Sequence, residues 1–329
     1  MKRVVITIIA LIFSISFSMA QVSPSVTVTS EGTVIRGATL ALKLDWLVRN
    51  AESHNTYIVE VSANENIAPR TLEYRGAINI TVILRGDYEN RTVRLSSHGT
   101  MFTVNSNVTF ILDDNITLHG HTQNTGNMVD VNGGIFIMNT GATITENKGG
   151  GGVYVRSGTF TMNGGTISNN GKESSFLGGG VDNRANFTMN GGTISGNIAT
   201  QGGGVSNSHG TFILNNGTIS GNSATQGGGV YVSYGTFTMR GGIITGNIAG
   251  EYGGGVNVVD GWFGGTFTKT GGTITGYNSD PDSGNVVKDY SGTIARRGHA
   301  VWVGENKRKE KNAGAHINLS NNNNENWDQ

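Results

Sequence analysis

Apolar and polar positions alternate with a period of two through short runs along most of this chain, and the runs keep returning with similar residues. In Thr159-Phe160-Thr161-Met162 the phenylalanine and methionine fall on one face and the threonines on the other, the pattern of a strand with one buried side. Phenylalanine recurs at Phe136, Phe160, Phe187, Phe212, Phe237 and Phe267, seven or eight residues ahead of Ile144, Ile167, Ile194, Ile219, Ile244 and Ile274. The isoleucine intervals are 23, 27, 25, 25 and 30 residues. Units of this length, made of short strands and punctuated by glycine, predict a solenoid in which each unit is one turn of a parallel β-helix.

A lone turn cannot hide Val153, Phe160, Met162 and Ile167 from water. Stacked turns can, because the same positions return about 4.8 Å above and continue one core. Gly164-Gly165 and Gly191-Gly192 fall where the chain must bend, and no proline between Pro69 and Pro281 removes a ladder donor. Three residues past the isoleucines stand Asn147, Asn170, Asn197, Asn222 and Asn247, while the sixth unit places Tyr277 there and Asn278 one later. An asparagine repeated at one turn can bond the backbone and its own copies above and below, so this column reads as structure.

The period changes near the N-terminus. Leu40, Leu44, Leu47 and Ala51 keep helical spacing with Lys43, Asp45 and Arg49 on other faces, which predicts an amphipathic helix over 39–51 that caps the open end of the solenoid. Strand-like runs follow at 57–61, 78–84, 92–95, 101–104 and 108–112 without regular glycine punctuation, and predict less regular early coils. After Pro281 the pattern loosens, although 292–294 and 300–303 can supply a last coil. The chain therefore divides into a signal peptide at 1–20, a leader and capping helix at 21–56, a β-helix at 57–304 with regular coils at about 128–278, and a polar tail at 305–329.

Composition changes this picture in three places. The 52 glycines keep register with the apolar pattern and so belong to a packed all-β fold rather than to disorder. The 23 basic residues balance 23 acidic ones, which argues against a nucleic-acid surface. Lys2 and Arg3, the apolar run 4–17 and Ser18-Met19-Ala20 have the layout of a secretory signal cleaved before Gln21. Its removal leaves 21 basic residues (23 minus two) against 23 acidic, a net charge of −2. With no cysteine for a disulfide or lipid attachment, and no membrane span in the mature chain, the expectation is a released monomer secreted across the inner membrane, at the cell surface or extracellular, with the periplasm as the alternative.

Gly179-Gly180-Val181 with Phe187-Thr188-Met189-Asn190, and Gly203-Gly204-Val205 with Phe212-Ile213-Leu214-Asn215, resemble the Gly-Gly-aliphatic and Phe-x-x-Asn motifs of bacterial polymorphic outer-membrane proteins. Phe136 to Asn139 and Phe160 to Asn163 fit the second motif too, while Arg240 and Thr270 replace its asparagine in the last two units. The resemblance covers about half the chain. It implies a right-handed parallel β-helix of the pectin-lyase-like class and an exported, surface-exposed or adhesin-like role. No alternating strands of a membrane barrel follow the repeats, so this chain is not read as a complete autotransporter.

Pectin-lyase-like folds include polysaccharide lyases and hydrolases, which place clustered carboxylates on one outer face. Asp113-Asp114 with His119-Gly120-His121 resembles the Asp-Asp and His-Gly motifs of polygalacturonases, yet Asp113 follows Phe110 as Asn139 follows Phe136, which makes it a turn residue. Arg296-Arg297-Gly298-His299 reads as a solvated turn of the end coil. The stronger candidate is the position after each first-strand valine, which should face outward: Asp130, Tyr154, Asp182, Ser206, Tyr231 and Asn257. Such a strip can stack on and hydrogen-bond a glycan or a surface protein. Asp130 and Asp182 would lie two coils apart, about 9 to 10 Å, and no arginine or histidine column accompanies them. The pairs Thr159/Thr161, Thr236/Thr238 and Thr266/Thr268 resemble the threonine arrays of some β-helical ice-binding proteins, with Asn186 and Ile213 interrupting them. No catalytic set, metal site or cofactor is assigned. The leading expectation is a non-catalytic envelope or surface protein that binds along its side, and the alternative is an exported lyase or hydrolase.

Overall fold

The alternating runs fold as strands, and the glycine pairs fall at the bends between them. One turn of the chain shows the plan. Strands Val181–Asn183, Asn186–Met189, Thr193–Ser195 and Ile198–Gln201 follow one another around the axis. Each then pairs in parallel with its equivalent one coil later, Val205–Ser208, Thr211–Leu214, Thr218–Ser220 and Ser223–Gln226. The structure, a computed structural model, describes residues 25–29, 31–172, 178–259, 262, 264–277, 280–289, 291–294, 299–303 and 317–319. These residues form a parallel β-solenoid of about nine turns. Its strands make sheets of nineteen, nine and four members, and every strand pairing is parallel except one at the N-terminal edge. The expected signal peptide, Asn278, Arg296 to Gly298 and nearly all of the polar tail lie outside the described residues.

The core is a set of columns. Phe136, Phe160, Phe187, Phe212, Phe237 and Phe267 lie in register and are fully buried, continuing from Phe110 below. Neighbouring rings from Phe110 to Phe267 have centroids 4.6 to 5.6 Å apart and planes within 18° of each other. That spacing suits offset stacking and follows from the strand spacing itself. Ile144, Ile167, Ile194, Ile219, Ile244 and Ile274 make a second column. Glycine is needed beside it, because a Cβ on Gly204 would come within 2.6 Å of the Gly229 carbonyl oxygen and 2.8 Å of Ile219. Bulk there would force two coils apart.

Asn147, Asn170, Asn197, Asn222 and Asn247 are buried and linked. The amides of Asn170, Asn197 and Asn222 donate to the next asparagine oxygen at 3.1, 3.0 and 2.9 Å. Each of these side chains also bonds backbone, as when Asn197 Nδ2 donates to the Ile167 carbonyl at 3.0 Å and Asn197 Oδ1 accepts from the Asn170 N–H at 3.0 Å. The ladder runs further than its spacing indicates, since Asn124 donates to Asn147 at 3.0 Å and Asn247 donates to Asn285 at 2.7 Å. The sixth unit thus enters the column at Asn285, later than its spacing from Ile274 indicates. Just before it the Asp280 N–H donates to the Gly276 carbonyl and the Gly284 N–H to the Asp280 carbonyl.

At the N-terminal end β1 (Ser25–Thr29) runs antiparallel to β2 (Gly32–Arg36), and β2 pairs in parallel with β3 (Thr56–Val61). Between β2 and β3 comes α1 (Leu40–Asn50), N-capped by Thr39 and ending at Ala51. Leu40, Leu44 and Leu47 join the core cluster, so the helix closes the end of the apolar column while β1 occupies the sheet edge beyond it. The expectation for Lys43 was wrong. It is completely buried, because its ammonium reaches the Glu60 carbonyl at 2.5 Å, and burial holds its pKa below the ordinary lysine value. Among the described residues no helix is long and apolar enough to cross a membrane.

Candidate functional site

Strands that bury the residues on either side turn the intervening residue away from the core. The register brings Thr103, Asp130, Tyr154, Asp182, Ser206, Tyr231, Asn257 and Trp302 side by side in one unbroken row. All six residues expected in this strip are therefore neighbours, with Thr103 and Trp302 extending it. Seven steps of strand spacing give a length of about 34 Å.

The row is not the open strip that alternation alone suggests. Asp130 and Asp182 are each 8% exposed, Ser206 is fully buried, and Tyr231 and Asn257 are buried as well. Tyr154 remains half-buried. Part of the cover comes from two arginines missing from the expected column. Arg156 Nη2 donates to Asp130 Oδ2 on the preceding coil at 2.9 Å, and Arg184 Nη2 lies 3.5 Å from Asp182 Oδ2. Both guanidinium groups sit against the Tyr154 ring, 4.8 and 5.2 Å from its centroid. The expectation that no arginine accompanies the acids is thus corrected. The sequence signal was present, since each arginine stands two positions after a member of the row; Arg184 pairs with that member, Asp182, on its own coil, whereas Arg156 reaches diagonally to Asp130 on the coil before.

The electrostatics follow from this packing. Burial pushes the Asp182 carboxyl up to about 7, although Arg184 opposes the shift. Asp130 raises the Arg156 pKa above its ordinary value through their hydrogen bond. One oxygen on each carboxylate, Oδ1 of Asp130 and of Asp182, is buried without a hydrogen-bond partner among the described residues. Farther along, Ser206 and Ser208 hydroxyls meet at 3.3 Å, and burial raises the Tyr231 phenol while Ser233 opposes it. On the inner side of the same strands Asn183 donates to Asn207 at 2.7 Å, a buried polar pair where other coils place Val155 and Val232. This pair was not anticipated from the sequence, because only two coils share it.

The other candidates separate. Asp113 accepts from Asn139 at 2.9 Å and so begins an outer ladder that continues through Asn163, Asn190 and Asn215, which is the turn role expected of it. Asp114 accepts from the Asn115 N–H, His119 Nδ1 meets the Gly120 carbonyl, and His121 leans on His98 with ring centroids 5.4 Å apart. Each of these four residues is engaged with a different neighbour. His299, expected in a solvated turn, is instead buried, and its Nδ1 accepts from the Val287 N–H at 2.9 Å. Thr159, Thr236 and Thr266 share a row with Asn186 and Thr211, and Thr161, Thr238 and Thr268 share one with Thr188 and Ile213. Among the described residues no three histidines or acids are grouped to hold a metal ion. Comparison of the chain with protein-family models, curated proteins and solved structures finds no match.

Proposed function

We propose that the protein is an exported, non-catalytic β-solenoid of the cell envelope or surface that binds an extended glycan along the row from Thr103 to Trp302. The observation that carries this reading is the row itself. Eight coils align polar and aromatic side chains in one register line of about 34 Å, along which Thr103, Tyr154 and Trp302 stay partly exposed, a shape that suits a linear polymer better than a compact ligand. The secretory layout of residues 1–20 and the resemblance of the Gly-Gly-Val and Phe-x-x-Asn units to polymorphic outer-membrane repeats support export. Affinity electrophoresis of the mature protein through gels carrying different polysaccharides tests the proposal. Retardation by at least one polymer, reduced by Tyr154→Ala, is expected, and unretarded migration through every polymer would refute it.

One observation favours a second reading. A carboxyl group held near 7, such as Asp182, carries a proton it can donate near neutrality, as a glycosidase acid must. An exported polysaccharide hydrolase or lyase would then release reducing ends or unsaturated products. Loss of that release in Asp182→Asn would establish it over plain binding.

A further inference from the structure

We propose that Arg156, Arg184 and Tyr154 form the charge-reading centre of this row and select an anionic glycan, one that carries carboxylate or sulfate groups. The inference rests on the lateral-binding reading and names the chemistry of its ligand.

Three observations carry it. First, the two arginines are the most exposed side chains of the cluster, at 53% and 45%, while the acids that hold them are nearly covered. The face therefore presents cations to a ligand and keeps its anions underneath. Second, each guanidinium approaches its acid through Nη2, which for Arg156 makes the hydrogen bond shown to Asp130. Arginine has five N–H donors in a planar fork, so an edge of each remains to take a carboxylate or sulfate in two parallel hydrogen bonds. Third, the positions are fixed before any ligand arrives. Both guanidinium groups pack over the Tyr154 ring, and ion pairs tie them to Asp130 and Asp182 on coils on either side of Tyr154. Prior fixing of this kind removes much of the rotamer entropy that long cationic side chains otherwise lose on binding.

The geometry also sets the order of the contacts. The arginines stand on adjacent coils, so their attachment points are about 4.8 Å apart along the axis. A polymer lying along the row would bring successive acidic groups to them in turn. Beyond them, toward Asn257, the row is polar and uncharged, with Ser206 and Tyr231, so the ionic contacts concentrate at one place.

Microcalorimetry of the mature full chain with alginate, polygalacturonate and dextran sulfate, set against neutral dextran and xylan, tests the inference. Expected is binding to the acidic polymers that weakens with added salt, and a loss of about tenfold in affinity for each of Arg156→Gln and Arg184→Gln. Because glutamine leaves an acid unpaired, the pairs Arg156→Gln with Asp130→Asn and Arg184→Gln with Asp182→Asn serve as charge-balanced companions, and each should lose the same affinity. Binding to neutral polymers that ignores both arginines would overturn this inference and leave the lateral-binding reading standing. Absence of binding to every polymer would overturn both.

Discussion

Two asparagine ladders climb this solenoid, and they differ in one physical variable. Asn197 is completely buried, whereas Asn190 is exposed on the outside of the same coil. Replacing Asn197 by alanine deletes four hydrogen bonds: two donated by Nδ2, to the Ile167 carbonyl and to Asn222, and two accepted by Oδ1, from the N–H and the Nδ2 of Asn170. Asn170 Nδ2 keeps a second partner in the Ile144 carbonyl, and Asn222 Oδ1 keeps the Asn197 N–H. The Asn170 N–H loses its side-chain acceptor, while the Ile167 carbonyl stays within the parallel ladder to Thr193–Ser195. One orphaned buried group costs about 1 to 3 kcal/mol, and the small void adds to that, so a loss of about 2 to 4 kcal/mol is expected. Asn190→Ala deletes one bond to Asn163 and one from Asn215, both where water can replace them, and should cost under about 1 kcal/mol. Urea unfolding followed by far-ultraviolet circular dichroism compares the two variants at constant slope. Similar midpoints for the two variants would refute the claim that burial, and not residue type, gives the inner ladder its weight.

Phe212 is fully buried between Phe187 and Phe237, so Phe212→Ala should lower stability by about 3 to 5 kcal/mol in the same unfolding assay. Leu44→Asp places an unpaired carboxylate under the capping helix and should cost about 3 kcal/mol or more, read as a fall in melting temperature; an unchanged melt would remove α1 from the role of cap. Asp182 titrates at about 7 in the folded protein against 3.8 for its free form, so the folded state holds the proton more tightly. Stability should therefore be greatest below the free value, fall by up to about 4 kcal/mol as pH rises toward 7, and level off above it. Asp182→Asn should flatten that profile, and a wild-type profile flat between pH 4 and 7 would contradict the buried carboxyl.

The columns of phenylalanine and isoleucine were legible because their spacing stays close to one coil, and a regular chemical period leaves a parallel stack few other ways to pair. Insertions hid the ends of the asparagine ladder. Asn124 stands six residues after Leu118 where other coils allow three, and Asn285 stands eleven after Ile274, yet both re-enter the same spatial line. Spacing counts residues, whereas the ladder counts turns. The candidate row was legible in its membership and not in its exposure. Arg156 reaches back to Asp130 on the coil before, a diagonal contact that no column of equivalent positions reveals. Lys43 and His299 were misplaced for a related reason, since a polar side chain is drawn inside by one backbone partner, the Glu60 carbonyl or the Val287 N–H, and hydropathy does not register such a partner.

The near-identity of neighbouring turns carries a hazard for folding. A rung that bears Phe187, Ile194 and Asn197 meets almost the same surface on the rung with Phe212, Ile219 and Asn222 as on the one with Phe237, Ile244 and Asn247. Skipping a turn would leave most side chains content and one loop stranded. Only the unrepeated ends, with the helix and reversed strand at one and the Asn285 detour at the other, tell the chain where to begin counting.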